Sequence, residues 1–481
     1  MTAPPTVPGQ QTFRVDEAVQ RGIALLRTGK LDEAQRFFLA VLQAFPAHVD
    51  ARHFLGMLRF QQGRVQEALQ LLQGVLLSHP SAAVLSNLGR MLHELGRFGE
   101  ALEHLERAVA LDPESAEAHN NRGSTLRELG RAEHALESYC QALDKRPAWP
   151  AALHGKACAL SDLGRWNDAE SALRTCIAVA PDYALAQVSL GQALLQLGRM
   201  QEARSCARAA LALAQQAGFP HRAFGELAAR CSLAEPARQH LTAALAADPE
   251  DGQGTRLLLA ALGSAPAPGR ASDEFLARLY AKRAANWDTM MREGGYRGAH
   301  LVSDALARVV SRLDTLDVLD AGCGTGQVGT LVRGRCRQLE GVDLSPEMLA
   351  RAAATGAYAR LHESELVQFL RSHPRQYDAV TCAATLIHFG DLRPPLHAAR
   401  IALRANGLLV FTVFSDENAS DGFRAGTFDG YAQGGCYSHG AKYVASTAEQ
   451  SGFTLELLEH AVQEHHLGKP KMGLIVALRK A

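Results

Sequence analysis

Glycines recur in this chain as pairs seven residues apart, and the pairs themselves recur every 33 or 34 residues: Gly22 and Gly29, Gly56 and Gly63, Gly89 and Gly96, Gly123 and Gly130. A period of this length means that one small unit is built many times over, which restricts the fold more than any composition does. Each pair is followed at fixed offsets by a small residue, an apolar residue and a proline: Ala34, Phe38, Pro46; Ala68, Leu72, Pro80; Ala101, Leu105, Pro113; Ala135, Tyr139, Pro147. Two further copies keep part of the pattern through Gly164, Ala169, Pro181 and Gly191, Gly198, Ala203, and a seventh runs through Gly225, Ala237, Leu241 and Pro249. The first glycine and the alanine let two antiparallel helices approach closely, the second glycine ends the first helix in a left-handed cap, and the proline stops the second helix. Segments such as FGEALEHLERAVALDP carry apolar residues at helical spacing, so each helical pair has a face that only a neighbouring pair can bury. The spacing predicts an α-solenoid over residues 15–262: six clear repeats, a seventh weaker one, and a capping helix at TRLLLAALG.

This pattern resembles the tetratricopeptide repeat, from about Val15 to Asp251. The resemblance implies a concave face lined by first helices that binds a protein or peptide partner, where this sequence offers His53, Arg90, Asn120 and Arg127. The alternative is that these are ordinary solvated side chains and the array only spaces or dimerises the rest of the chain. Asn87 and Asn121 share one repeat position and are candidates for an asparagine ladder.

At 481 residues the chain exceeds one ordinary core, so a boundary is expected. The run GSAPAPGRAS, residues 263–272, is rich in proline, glycine and small residues without periodicity and reads as a linker. A second domain is then expected over residues 273–481. Lys+Arg and Asp+Glu stand at 50 each, so no basic excess favours nucleic acid or an anionic membrane surface as a partner. Nine cysteines without a CxxC pair or metal-ligand spacing point to reduced thiols and no metal site. Residues 1–14 are polar and proline-rich and are expected to form a disordered tail; no apolar run approaches the roughly 20 residues of a membrane span, and a cytoplasmic location is expected.

The chemistry gathers after the linker. LDVLDAGCGTGQVG, from Leu316 to Gly329, begins as a buried strand and continues as a glycine turn into a helix. Gly322, Gly324 and Gly326 permit positive φ and close approach of backbone to a ligand, and the helix beyond presents free N–H groups. The next strand, QLEGVDLS, ends in Asp343 about twenty residues on, where a carboxylate can accept from both hydroxyls of a ribose. Helix capping is the plainer role for Asp343. YDAVTCAATLIHF runs from strand into a loop at the carboxyl end of the sheet, NGLLVFTVF is a core strand, and FTLELLEH with GLIVALRK would form a terminal antiparallel hairpin. The expected fold is therefore an α-solenoid followed by a doubly wound, Rossmann-like α/β domain.

DAGCGTG followed by GVDLSPEML resembles the first two motifs of class I S-adenosylmethionine-dependent methyltransferases, with Asp320 directly before the turn. The resemblance implies S-adenosylmethionine as cofactor, its methionine end held by Asp320 and the backbone of Gly322, Cys323, Gly324 and Gly326. It implies Asp343 at the ribose with Leu344 and Met348 beside it, and Ser364 and Glu365 near the adenine amino group, although Glu stands where that family more often has Asp. The fourth strand lacks the Asn/Asp-Pro-Pro-aromatic sequence of enzymes that methylate the amino groups of adenine or glutamine. The chain also resembles a bacterial group of repeat-carrying methyltransferases through LYAKRAANWD, Gly295-Tyr296-Arg297, Gly390-Asp391-Leu392 and Tyr437-Ser438-His439. Methyl transfer from a sulfonium requires positioning of the acceptor and, for some acceptors, removal of a proton. His439, which matches that group's pattern, and His388 are the candidates for this base, against the plainer role of a buried histidine tied to backbone. Two other classes stay open: a binding scaffold whose methyltransferase domain is silent, and a nicotinamide-dependent reductase, which is disfavoured because the register that starts at Gly322 has Gln327 where GxGxxG needs its third glycine.

Overall fold

A computed structural model of the chain describes residues 15–284, 287–293, 295–310, 312, 314–419, 422–426, 435–466 and 469–481. The tail expected at residues 1–14 lies outside them. The chain divides into two compact units, Met1–Pro181 and Asp182–Ala481.

The first unit is a run of helical hairpins: α1 (Val15–Arg27) with α2 (Leu31–Ala44), α3 (Val49–Gln61) with α4 (Val65–Ser78), α5 (Ala82–Glu94) with α6 (Phe98–Leu111), α7 (Ala116–Glu128) with α8 (Ala132–Lys145), and α9 (Pro150–Asp162) with α10 (Trp166–Val179). Serine hydroxyls start two of the first helices, Ser81 accepting from Val84 N and Ser115 from Ala118 N. Gly96, at φ +74°, turns the chain out of α5, and α6 stops two residues before Pro113. Gly89 is needed for a different reason: a Cβ there would sit 2.5 Å from Leu105 Cγ of the partner helix. The residue at Leu105's repeat position is the anchor of each hairpin, and Phe38, Leu72 and Leu105 are all 0% exposed. Burial of such a side chain is worth roughly 1.5–3 kcal/mol. Successive first helices α1, α3, α5, α7 and α9 touch one another, which produces one continuous face made of first helices only.

The second unit opens with helices α11 (Ala184–Gln196), α12 (Met200–Leu211), α13 (His221–Arg230), α14 (Ala234–Ala247) and α15 (Thr255–Ala261). Residues 263–272 bond to the sheet domain that follows: Gly269 O accepts from Gly390 N and Asp391 N, Pro268 O from Tyr437 Oη, and Ala271 N donates to His388 O.

Then come α16 (Asp273–Ala284), α17 (Trp287–Glu293), α18 (Gly298–Val309), β1 (Asp317–Ala321), α19 (Gln327–Val332), β2 (Gln338–Asp343), α20 (Pro346–Ala354), β3 (Arg360–Glu363), α21 (Leu366–Ser372), β4 (Tyr377–Cys382), α22 (Arg393–Ala402), β5 (Leu403–Ser415), β6 (Phe423–Ala425), β7 (Tyr437–His439), α23 (Ala441–Gln450), β8 (Phe453–His466) and β9 (Lys469–Lys480). The sheet order is β3-β2-β1-β4-β5-β7-β6, with β9 antiparallel between β5 and β8. The direction of winding reverses between β1 and β4, which are parallel neighbours. Helices cover both faces of the sheet, so β5 is apolar on both. Leu409, Phe411 and Val413 join the core under α21, α22 and α23, while Leu408 and Val410 join the core under α18 and α19. The terminal hairpin is β8–β9; the β6–β7 hairpin is an addition that the strand patterns did not reveal, because each of its strands is three residues long.

Candidate functional site

A cleft of about 1000 Å³, counting its solvent-open mouth, lies at the carboxyl ends of β1, β2 and β4, where the winding reverses. Doubly wound sheets place ligands at this point because the diverging loops leave a crevice that no strand fills. Its floor is the turn after β1. Gly322 N and Cys323 N both donate to Val342 O, at 2.8 and 3.0 Å, and pin the turn against the end of β2. Gly322 and Gly324 have φ of +74° and +53°, and a Cβ on Gly322 would meet Thr385 Oγ1 at 2.1 Å, whereas one on Gly324 would project into open space.

Asp343 closes this corner. Its Oδ2 accepts from Gly324 N at 2.8 Å and its Oδ1 from Ser345 N at 3.0 Å, while Ser345 caps α20 through Met348 N. Burial raises the carboxyl's pKa and the backbone donors counter it. Both oxygens are thus oriented by the loops, and the residue lines the cleft. Glu365 stands opposite as the N-cap of α21, accepting from Val367 N at 3.0 Å and Gln368 N at 2.7 Å, and its Oε1 also takes Arg270 Nη1 at 2.9 Å. The extra methylene that distinguishes Glu from Asp lets one carboxylate reach both the helix terminus and Arg270.

Of the residues singled out from sequence, Gly322, Cys323, Gly324, Asp343, Leu344, Met348, Ser364, Glu365 and His388 line the cleft, and Asp320, Gly326 and His439 do not. Asp320 is 0% exposed behind the turn, accepting from Tyr358 Oη at 2.7 Å and Thr381 Oγ1 at 3.3 Å. Burial pushes its carboxyl up to about 7 despite those donors. Gly326 caps α19 against the Tyr358 ring.

The two histidines part company. His388 stands in the wall, with Nδ1 3.0 Å from Gly435 O and Nε2 2.6 Å from Tyr280 Oη. A carbonyl can only accept, so Nδ1 carries the proton and Nε2 accepts from the tyrosine. Burial pulls the imidazole down to about 4, so it is neutral at pH 7. His439 is 0% exposed on β7, donates from Nε2 to Phe389 O at 2.8 Å, and is also pulled down to about 4 by burial. It supports the strand-end loop from behind and does not reach the cleft.

Sequence reasoning assigned no site role to the cover of the cleft. Leu276 and Tyr280 of α16, Trp287 of α17 and Tyr296 line it, and Tyr280 meets both Trp287 and His388 edge to face, at 5.4 and 5.5 Å. Asp288 ties α17 to the glycine turn, accepting from Thr325 Oγ1 at 2.7 Å and Gln327 Nε2 at 3.4 Å. The signal was the aromatic run LYAKRAANWD, whose helical pattern alone does not tell a covering helix from an ordinary surface one.

On the face of first helices, His53 is 4% exposed and bonded to Asn87 at 2.9 Å, and Asn121 reaches Ser86 at 3.1 Å, so the two asparagines tie adjacent repeats and form no ladder with each other. Arg90 pairs with Glu94 and Arg127 with Asp162, and Asn120 Oδ1 is buried without a partner among the described residues.

A doubly wound sheet with a glycine turn and an acid at the next strand end, following helical hairpins of this period, defines a methyltransferase domain carried with tetratricopeptide repeats. Comparison with known proteins agrees on both parts. A family model described as a methyltransferase domain matches residues 290–458, and tetratricopeptide-repeat models match residues 25–90, 116–148 and 154–218, with a TPR repeat model at 89–130. A ubiquinone biosynthesis O-methyltransferase of Sodalis glossinidius is 26% identical over 148 residues, 29% of this chain and 58% of that protein. One from Azoarcus sp. is 27% identical over 117 residues, 22% of this chain and 50% of that protein. The chain thus spans little more than half the length of the curated relatives it matches. A tetratricopeptide repeat protein from Parabacteroides merdae is similar in structure over 48% of this chain and 92% of its own, at 19% identity and a TM-score of 0.41. No helix among the described residues is long and apolar enough to cross a membrane.

Proposed function

We propose that the domain within residues 273–481 transfers a methyl group from S-adenosylmethionine to an acceptor brought to the cleft, and that the repeats over residues 15–262 recruit the partner or substrate that carries it. The observation that supports this most is the corner where Gly324 N holds Asp343 Oδ2 at 2.8 Å while both line the cleft. A carboxylate oriented in this way can accept from a ribose diol, and the side-chain-free turn beside it admits the methionine end of the cofactor. Leu344 and Met348 supply apolar contact beyond the ribose, and Ser364 and Glu365 face the adenine edge. Asp320 acts from behind, tying the end of β1 to Tyr358 and to Thr381 of β4.

S-adenosylmethionine, when bound, supplies an electrophilic methyl on a good leaving group, so the chain's task is orientation and exclusion of water. Tyr280, Trp287 and Tyr296 give the cleft an apolar cover. Tyr280 Oη donates its hydrogen bond to His388 Nε2, which leaves the phenol oxygen's lone pairs free for an acceptor hydroxyl or amine. An imidazole held near 4 is a weak base at neutral pH, so this pair positions the acceptor more than it removes a proton. His439 is a positioning residue for the Phe389 loop. An oxygen acceptor is the first to screen, given the names of the curated relatives.

The test is isothermal titration of the full chain with S-adenosylmethionine, S-adenosylhomocysteine and NADH, with Asp343→Ala as control. Saturable binding of the two sulfur compounds, lost in Asp343→Ala, is expected. Failure to bind them would remove the methyl-transfer reading and leave a scaffold.

A further inference from the structure

Away from the cleft, one cluster on the face of first helices has no role in the reading above. Cys158 and His154 stand one turn apart on α9, with His154 Nε2 3.5 Å from Cys158 Sγ. The repeat register puts both on the same face as the sequence-predicted groove residues: His154 follows Asn120 by 34 residues, and Cys158 follows Arg90 by 68, two repeats. From α7, Arg127, held by Asp162 at 2.7 Å, contributes a positive charge that favours the thiolate. Tyr139 of α8 and Cys176 of α10 complete the surroundings. Tyr139 bonds to Ser124 and Cys176 to Pro150 O, and burial keeps both protonated.

The balance of charge around the sulfur is therefore two nitrogen groups that favour a thiolate, His154 and Arg127, against one carboxylate, Asp162. Burial pushes the Cys158 thiol up, yet His154 and Arg127 outweigh it and the net shift is downward. Cys176, Cys231, Cys323, Cys336, Cys382 and Cys436 are all pushed the other way by burial. A partly buried thiol in contact with an imidazole and in the field of a guanidinium is the environment in which cysteine becomes nucleophilic.

We propose that Cys158, with His154 and Arg127, forms a reactive-thiol site on the repeat face that hydrogen peroxide oxidises to a sulfenic acid. The thiol proton passes to His154 Nε2, and the sulfur attacks one peroxide oxygen. The S–O bond forms as the O–O bond breaks, and the departing hydroxide recovers the proton and leaves as water. Sulfur is oxidised by two electrons and peroxide is reduced by two. A small neutral oxidant fits a sulfur that is only partly exposed. The site does not depend on the methyl-transfer reading, so the cofactor titration and this test fail separately.

The full chain, reduced and then freed of reductant, is treated with hydrogen peroxide at pH 6.5 in the presence of dimedone, and adducts at each cysteine are followed by peptide mass spectrometry. Cys158 is expected to label several-fold faster than Cys140, since the thiolate is the nucleophile and His154 and Arg127 favour it at Cys158. His154→Gln should bring that rate down to the level of Cys140, and Arg127→Gln should lower it independently. Labelling of Cys158 no faster than Cys140, or a rate unchanged in both variants, would overturn the proposal.

Discussion

Replacing Gly322 and Gly324 separately by alanine distinguishes what the glycine turn does for folding from what it does for binding. Both residues have positive φ, +74° and +53°, and a side chain in that region costs about 1–2 kcal/mol. At Gly324 that is the whole cost, because nothing lies within 4 Å of the new methyl. At Gly322 the methyl would stand 2.1 Å from Thr385 Oγ1, and forcing a methyl into a packed site adds about 1–3 kcal/mol. Gly322→Ala should therefore destabilise the domain by roughly 2–5 kcal/mol and Gly324→Ala by roughly 1–2 kcal/mol. Calorimetric melting of each variant ranks them. Affinity should follow a different order, because the Gly324 methyl enters the cleft where the proposed cofactor approaches the backbone. Titration with S-adenosylhomocysteine should show at least a tenfold loss, about 1.4 kcal/mol, in Gly324→Ala although that variant is the less destabilised of the two. Wild-type affinity in Gly324→Ala would refute the placement of the cofactor over the turn. Equal destabilisation of the two variants would refute the packing argument.

Three further outcomes are expected. Leu105→Ala, at a side chain 0% exposed beneath Gly89, should cost about 2–5 kcal/mol in urea unfolding of the repeat unit, and a loss under 1 kcal/mol would mean that the hairpin anchors do not carry its stability. His439 has a native pKa pulled down to about 4 from an unfolded value near 6.5, so the unfolded chain binds more protons in that interval, and its contribution, present above pH 6.5, fades toward pH 4 at up to about 1.4 kcal/mol per pH unit. Asp320, held up at about 7, works in the opposite sense, so the quantity to measure is the difference between wild type and His439→Gln at pH 7 and pH 5, which should shrink at the lower pH; a constant difference refutes the assignment. Asp288→Ala removes the acceptor that ties α17 to Thr325, and hydrogen exchange should quicken over Trp287–Glu293, whereas unchanged protection would show that the contact does not hold the cover in place.

How much of this molecule was legible depends on whether the physics is local. Helical hairpins that recur every 33 or 34 residues, closed by Gly96 and its equivalents and anchored by Phe38, Leu72 and Leu105, are written in short-range spacing, because each repeat buries its face against a near neighbour in sequence. The strand, glycine turn and acid from Leu316 to Asp343 are equally local, so their joint presence in the cleft follows from one βαβ unit. What needed the tertiary structure was the set of contacts made across long sequence separations. Asp320 and Asp343 look alike in sequence, yet only Asp343 faces the cleft, since Tyr358 and Thr381 close over the other. His388 and His439 differ in the same way: one meets Tyr280, 108 residues earlier in the chain, and the other is spent on the Phe389 carbonyl. Periodicity reports which face of an element is buried. Which groups meet there is decided only when distant elements pack, and the aromatic cover of the cleft, where Tyr280 meets His388, is a product of that packing.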